Sequence, residues 1–88
     1  MATAYDTLAE SCHHWGTLDA ETRRLVKLGI AIGQSSEGGV RPHARRALEE
    51  GILPDELRHV ELIAFTTAGF PTMTGSLKWV EEVIEKSK

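Results

Sequence analysis

Residues 40–57 read VRPHARRALEEGILPDEL, and this stretch decides the fold class. Its apolar residues recur at spacings of three and four, which is the spacing of one face of an α-helix: Val40, Ala44, Ala47 and Leu48. Gly51 is a typical helix stop, and Pro54 followed by two acidic residues is typical of a helix start. The stretch therefore predicts two consecutive helices joined by a short turn.

Reading outward from this stretch predicts five helices in total. The first runs from about Thr3 to His14, and the second begins at Thr17 or Asp19. Residues 34–39 are polar and glycine-rich and predict a loop, so the third helix is expected to start between Gly39 and Pro42 and to run to Glu50. The fourth is predicted from Pro54 until Gly69, and the fifth from Pro71 onward.

Each predicted helix carries an apolar stripe, and the second has an unusually wide one. The stripe of the second helix comprises Leu25, Leu28 and Ile32, broadened by Val26 and Ile30. The later stripes are Leu57, Val60, Ala64 and Ala68, and then Met73, Leu77, Val80 and Ile84. No useful length of strand-like alternation occurs. We expect an all-α, compact bundle of about five helices that forms one domain over residues 1–88.

Composition excludes several function classes. The net charge of −3 is spread along the chain, whereas a nucleic-acid binder usually carries a basic stripe. The longest apolar stretch is too short to span a membrane, and the first residues lack the pattern of a signal peptide, so we expect a cytoplasmic protein. Cys12 is the only cysteine, no zinc spacing occurs, and we expect neither metal nor cofactor.

The order of these features resembles the carboxymuconolactone decarboxylase-like family, also called alkylhydroperoxidase-D-like. The resemblance covers roughly Leu18–Glu85. It rests on four segments: the helix start at residues 18–23, His43 with the eight residues that follow it, the acidic start at residues 54–57, and Gly69-Phe70-Pro71. The resemblance implies a bundle of this kind and assembly into trimers or hexamers.

The redox branch of that family carries C-x-x-C-x-x-x-H, plus a glutamate about one helix earlier. Here the cysteine positions fall on Ser36 and Gly39, the histidine on His43 and the glutamate on Arg24. Dithiol peroxidase chemistry needs one thiolate to attack the peroxide and a second thiol to resolve the product. These residues therefore disfavour a peroxidase and place the chain nearer the decarboxylase branch, which also lacks the cysteines and keeps a histidine.

His43 is the main candidate for a catalytic residue. It shares the inward face of its predicted helix and is expected in the first turn, where the helix dipole would keep the imidazole neutral. A neutral imidazole suits an acid/base role. The alternative is a core histidine with a satisfied hydrogen bond.

Other candidates concern ligand binding. Ser36, Glu37 and Gly39 precede a helix start and could form an anion site, or simply an N-capped loop. Arg24, Arg41 and Arg45 could clamp a small carboxylate, or form a solvated face.

Two further features are better explained by structural roles than by ligand binding. Adjacent helical residues point about 100° apart, so Cys12, His13 and His14 are poor joint ligands for a metal ion. Trp15 and Trp79 suit core or interface positions better than ligand stacking.

The sequence leaves three alternative functions open. The first is an enzyme that acts on a small carboxylate or lactone with His43 as acid/base. The second is a catalytically degenerate homo-oligomer, and the third is the disfavoured peroxidase. So short a chain buries only roughly 60–65% of its unfolded surface and has no disulfide, so we expect a homo-oligomer, for which the sequence alone would allow a dimer. The resemblance narrows this expectation to a homotrimer or homohexamer. The apolar residues of the second and fifth helices are further candidates for the contact between copies.

Overall fold

A computed structural model describes residues 3–88 and contains five helices. They are α1 (Ala4–His14), α2 (Ala20–Gly33), α3 (Glu37–Glu49), α4 (Pro54–Ala68) and α5 (Phe70–Lys86). No strand occurs within these described residues, so the all-α prediction is confirmed. None of the helices in this range is long and apolar enough to cross a membrane.

The second helix begins where its cap predicts. Asp19 is the N-cap of α2, and its Oδ1 accepts a hydrogen bond from the Thr22 backbone N–H at 2.8 Å. The start of α1 is closed by a reciprocal pair, because Thr3 and Asp6 each accept from the other's backbone N–H.

The third helix starts earlier than predicted. Ser36 is its N-cap and accepts from the Gly39 backbone N–H at 3.1 Å, so residues 37–39 are helical rather than loop. A side chain at Gly39 would place its Cβ 3.1 Å from the Ala31 Cβ, so glycine lets α3 begin close against α2. Pro42 consequently lies inside the helix, and His43 lies in its second turn, not its first.

The core lies among α2, α3, α4 and α5. Its fully buried centre combines one side chain or more from each of these helices: Leu28, Ile32, Val40, Ala44, Ala47, Leu57 and Val80. Trp79 packs against this core, as expected, whereas Trp15 is 86% exposed. Helix α1 contributes no buried residue and lies against the outside of the bundle, next to α2 and α3.

The predicted apolar stripes are largely confirmed. Ala68 is an exception, because it is exposed. In addition, two polar residues are buried: Glu61 on α4 and Ser76 on α5. Ser76 Oγ lies 2.8 Å from Glu61 Oε1, so the two polar side chains meet inside the bundle.

Candidate functional site

His43 is half-buried on α3, where its neighbours on the inward face are fully buried. Its Nδ1 lies 3.0 Å from Nη1 of Arg24, a residue of α2 that is only 8% exposed. Arg24 in turn donates from Nε and Nη2 to the two carboxylate oxygens of Glu50, at 3.0 and 2.9 Å. The two parallel hydrogen bonds to Glu50 hold the Arg24 guanidinium in one orientation. Through its contact with Nδ1, the guanidinium in turn holds the orientation of the His43 ring.

This contact decides the tautomer of His43. A guanidinium has donors and no acceptor, so the ring nitrogen facing it must carry a lone pair. The proton of the neutral ring is therefore on Nε2. That atom has no hydrogen-bond partner among residues 3–88 and is not sealed from solvent. His43 consequently offers an N–H donor, and Nε2 cannot accept a proton while the Arg24 contact holds.

The surroundings of His43 favour the uncharged ring. Burial is the largest effect that lowers its pKa, followed by the positive charges of Arg24, Arg46 and Lys27. The expected lowering of the pKa is therefore present, but its cause differs from the predicted one. The helix N-terminus is too distant to dominate, because the dipole acts within the first turn and His43 lies in the second.

A cavity of about 690 Å³ adjoins His43 and is bounded by α1, α2 and α3. Besides His43 and Arg24, the polar side chains that line it are Tyr5, Asp6, Glu10, Cys12, His13, Lys27, Gln34, Ser36 and Arg46. The volume falls within the ordinary range of small-molecule sites.

The cavity is lined by charges of both signs: three cationic side chains and two carboxylates, with Arg24 already paired with Glu50. Lys27 and Arg46 line it, and neither has an ion-pair partner within residues 3–88. The two acidic side chains that line the cavity are engaged elsewhere: Asp6 accepts from the Thr3 backbone, and Glu10 pairs with His14. Burial, with Arg24 next, lowers the pKa of Lys27, and the negative charge of Glu10 acts in the opposite direction. An anion in the cavity would oppose the effects of burial and of Arg24.

The structure brings some predicted binding residues together and separates others. Arg24, Ser36 and Gly39 line the His43 cavity, and Ser36 also serves as the α3 N-cap. Arg41 is instead paired with Glu37 and with Glu82 of α5, at 2.8 and 2.6 Å.

The three arginines proposed as one clamp are therefore divided. Arg41 and Arg45 line a separate groove of about 740 Å³ beside α5. Only Arg24 lies with His43, so a single ligand cannot be held by all three from these positions.

Sequence reasoning missed Lys27, Arg46, His13 and Glu50. One signal was available: Arg24 precedes Leu28 and Ala31 by four and seven residues, on the face of α2 that is buried. A buried arginine requires an acidic partner, although nothing local identifies Glu50, which is 26 residues away. Within residues 3–88, no three histidine, cysteine or acidic side chains are grouped to hold a metal ion.

The fold and site define a small helical protein with a histidine held by a buried arginine at a polar cavity. The chain belongs to the carboxymuconolactone decarboxylase family, which it matches over residues 1–82. The resemblance seen in the sequence is thereby confirmed.

Two curated relatives are similar over 68 residues, each at 29% identity. One is an uncharacterized protein of Methanocaldococcus jannaschii, for which the match covers 76% of this chain and 65% of the relative. The other is the 4-carboxymuconolactone decarboxylase of Acinetobacter baylyi, for which it covers 77% of this chain and 51% of the relative. The chain thus spans between half and two thirds of these relatives. No solved structure matches it significantly.

Proposed function

We propose that the cavity beside His43 binds a small organic carboxylate and that the protein decarboxylates it or processes it as a lactone. The observation that carries this proposal is the presence of Lys27 and Arg46 beside His43 without an ion pair to any residue from 3 to 88. The name of the Acinetobacter relative refers to a carboxylated lactone, which fits an anion-binding cavity.

The geometry suggests how His43 would contribute. When a carboxylate leaves as CO2, the electron pair of the broken carbon–carbon bond moves into the rest of the ligand, where a conjugated carbonyl oxygen can carry it. The Nε2–H of His43 is a fixed donor for such an oxygen, because Arg24 holds Nδ1 and Glu50 holds Arg24. His43 therefore acts as a hydrogen-bond donor rather than as a base.

Binding of cis,cis-muconate, a dicarboxylate probe, tests the anion site. We expect chemical-shift changes at His43 and Lys27 that saturate, and an affinity about 10-fold lower in Arg46→Gln, because a charge-assisted contact contributes about 1.5–3 kcal/mol. Arg45→Gln is the matched control, since Arg45 is the adjacent residue but lines the other groove. Absence of saturable binding, or equal losses in both variants, would overturn the anion site. Release of CO2 from 4-carboxymuconolactone then tests the reaction.

A second candidate is a homo-oligomer that binds ligands without turnover. It is favoured by the fixed tautomer of His43, which removes the ring as a base, and by the serine and glycine at the two family cysteine positions. Binding of muconate without CO2 release from the lactone would support this alternative.

A further inference from the structure

His13 is a second histidine at the same cavity, and it comes from a different helix. It is partly buried on α1, which otherwise supplies no buried side chain. Its Nδ1 is shielded from solvent and has no hydrogen-bond partner in the described chain. Buried polar atoms in folded proteins nearly always have a partner, so this atom indicates that the ring is not placed for packing alone.

Three of the acid/base groups near His13, namely His43, Glu50 and Glu10, are already engaged. Nδ1 of His43 faces Arg24, both oxygens of Glu50 accept from Arg24, and Glu10 pairs with His14. Among the described residues, no partner fixes the tautomer of His13, and its Nε2 is neither hydrogen-bonded nor sealed from solvent. His13 is thus able to exchange a proton at Nε2, which His43 cannot do while Arg24 holds it.

The charges around His13 make the exchange depend on a ligand. The charged and titratable groups around His13 come from three helices. Those on α2 are Arg23, Arg24 and Lys27, and those on α3 and its C-cap are His43, Arg46 and Glu50. Its neighbours on α1 are Glu10, Cys12 and His14. Burial is the largest effect that lowers the pKa of His13, and Lys27, Arg23 and Arg24 follow. A carboxylate in the cavity would oppose these cations and stabilise the imidazolium.

We propose that His13 takes up a proton when a carboxylate enters the cavity and gives that proton to the ligand carbon that carries the electron pair left by CO2. This inference rests on the proposed function. Loss of CO2 from a carboxylate leaves an electron pair on the ligand, and one proton completes the product. The C–CO2 bond breaks, a C–H bond forms with the proton from Nε2, and His13 returns to its neutral form. The product carries one carboxylate fewer, so the stabilisation of the imidazolium falls.

Calorimetry with muconate in two buffers of different ionisation enthalpy measures the proton uptake. We expect the natural sequence to take up a fraction approaching about one proton per bound muconate near pH 7. His13→Gln should bind muconate without uptake, whereas His14→Gln, at the exposed neighbour paired with Glu10, should behave like the natural chain. Uptake that persists in His13→Gln would overturn the inference while leaving the anion site intact.

A second experiment needs no ligand. Lys27→Glu places a carboxylate at the cavity, and the pKa of His13, followed by NMR, should rise by about one unit or more, as it does beside an opposite charge. If muconate fails to bind, the anion site fails; if His13 fails to respond in Lys27→Glu, the inference itself fails.

Turnover gives the last readout. With 4-carboxymuconolactone as substrate, His13→Gln should lower kcat at least about 10-fold with little change in KM, because general acid catalysis contributes at least this much. The pH dependence of kcat assigned to His13 should disappear with it. A variant with unchanged kcat would overturn the proton-donor role.

Discussion

Arg24 Nη1 lies 3.0 Å from His43 Nδ1, which joins two helices through a guanidinium and an imidazole. The contact requires a neutral His43, because an imidazolium would present an N–H to a donor. Arg24 can hold this position beside the core because both of its remaining contacts go to Glu50. The position that carries a glutamate in the redox branch here carries the residue that sets the state of the histidine.

Replacing Arg24 tests this relationship. The pKa of His43 should lie below the unperturbed value of about 6.5 in the natural chain, and Arg24→Met should raise it, because a nearby positive charge and a donor that needs the neutral ring are both removed. The free energy of unfolding should fall by about 0.5–1.5 kcal/mol, because the hydrogen bonds to Glu50 are lost while its exposed carboxylate regains water. NMR titration of the histidine rings and urea unfolding measure the two effects.

Arg23→Met is the control, since Arg23 is adjacent and makes no ion pair in residues 3–88. The pH dependence of the free energy of unfolding follows from the lowered pKa of His43. Because the unfolded chain binds a proton at His43 more readily than the folded chain does, stability is lost as pH falls below about 6.5. In Arg24→Met that acid loss should shrink. A pKa above 6.5 in the natural chain would contradict the prediction and would indicate a carboxylate at the ring.

The fold was predictable because each helix signals itself locally. Asp19 caps α2, Gly51 and Gly69 end their segments, and the apolar periods of α4 and α5 match the buried residues. The start of α3 was missed because two glycines suggest a loop, whereas Ser36 and the close approach of Gly39 to Ala31 favour a helix. The latter contact is tertiary and has no trace in the local sequence.

The site was predictable only in part, and for the same reason. His43 is identifiable by its position on an apolar face, but its partner Arg24 depends on how α2 and α3 cross. His13 belongs to a helix that lies against the outside of the bundle, and the apolar stripe of that helix, which is Tyr5, Leu8, Ala9 and Cys12, does not include it. Chemistry assembled from three helices is visible only once their packing is known.

A dithiol peroxidase activity should be absent. Ser36 Oγ accepts the Gly39 N–H and caps α3, and neither residue can form a thiolate. Peroxide consumption with a dithiol reductant should be indistinguishable from that of buffer without protein. Clear turnover that survives in Cys12→Ser would contradict this prediction, because no thiol would remain in the chain.

Glu61 should make stability fall as pH rises. It is 1% exposed, burial raises the pKa of its carboxyl, and Oε2 has no partner in the described chain. A protonated Glu61 can donate to Ser76 Oγ, while Ser76 donates to the Thr72 or Met73 carbonyl, each at 3.1 Å. An ionised Glu61 would leave a charge in the core.

The sign follows from the raised pKa. Below the unfolded value of about 4.3 the stabilisation is complete, and it is lost as pH rises through the folded pKa, because the unfolded chain ionises first. Glu61→Gln removes this titration, so its Tm should decline less between pH 4 and pH 8 than that of the natural chain. Glu49→Gln, at an exposed position on α3, is the control. Parallel Tm profiles for Glu61→Gln and the natural chain would contradict the assignment.

Self-association remains a prediction, but fewer apolar residues are available for the contact between copies than the sequence suggested. Val80 and Ile84 of α5 are packed inside the single chain and need no second copy. Val26 and Ile30 of α2 remain 45% and 57% exposed, and both line two neighbouring grooves. One groove adds Trp15 and Leu18, and the other adds Ile63, all of them exposed.

This continuous face, centred on Val26 and Ile30, is the expected contact in a homotrimer or homohexamer. An apolar face of this kind is unusual on a monomer, and closed symmetry would cover it in every copy.

Light scattering coupled to size exclusion should give three or six times the chain mass of 9.7 kDa at micromolar concentration. Ile30→Glu should shift the mass toward one chain, because it places a charge at the centre of the contact. Leu62→Glu is the control, since Leu62 is 66% exposed but lines neither groove. A folded species of single-chain mass from the natural sequence would contradict the prediction, and equal dissociation by both variants would move the contact away from α2.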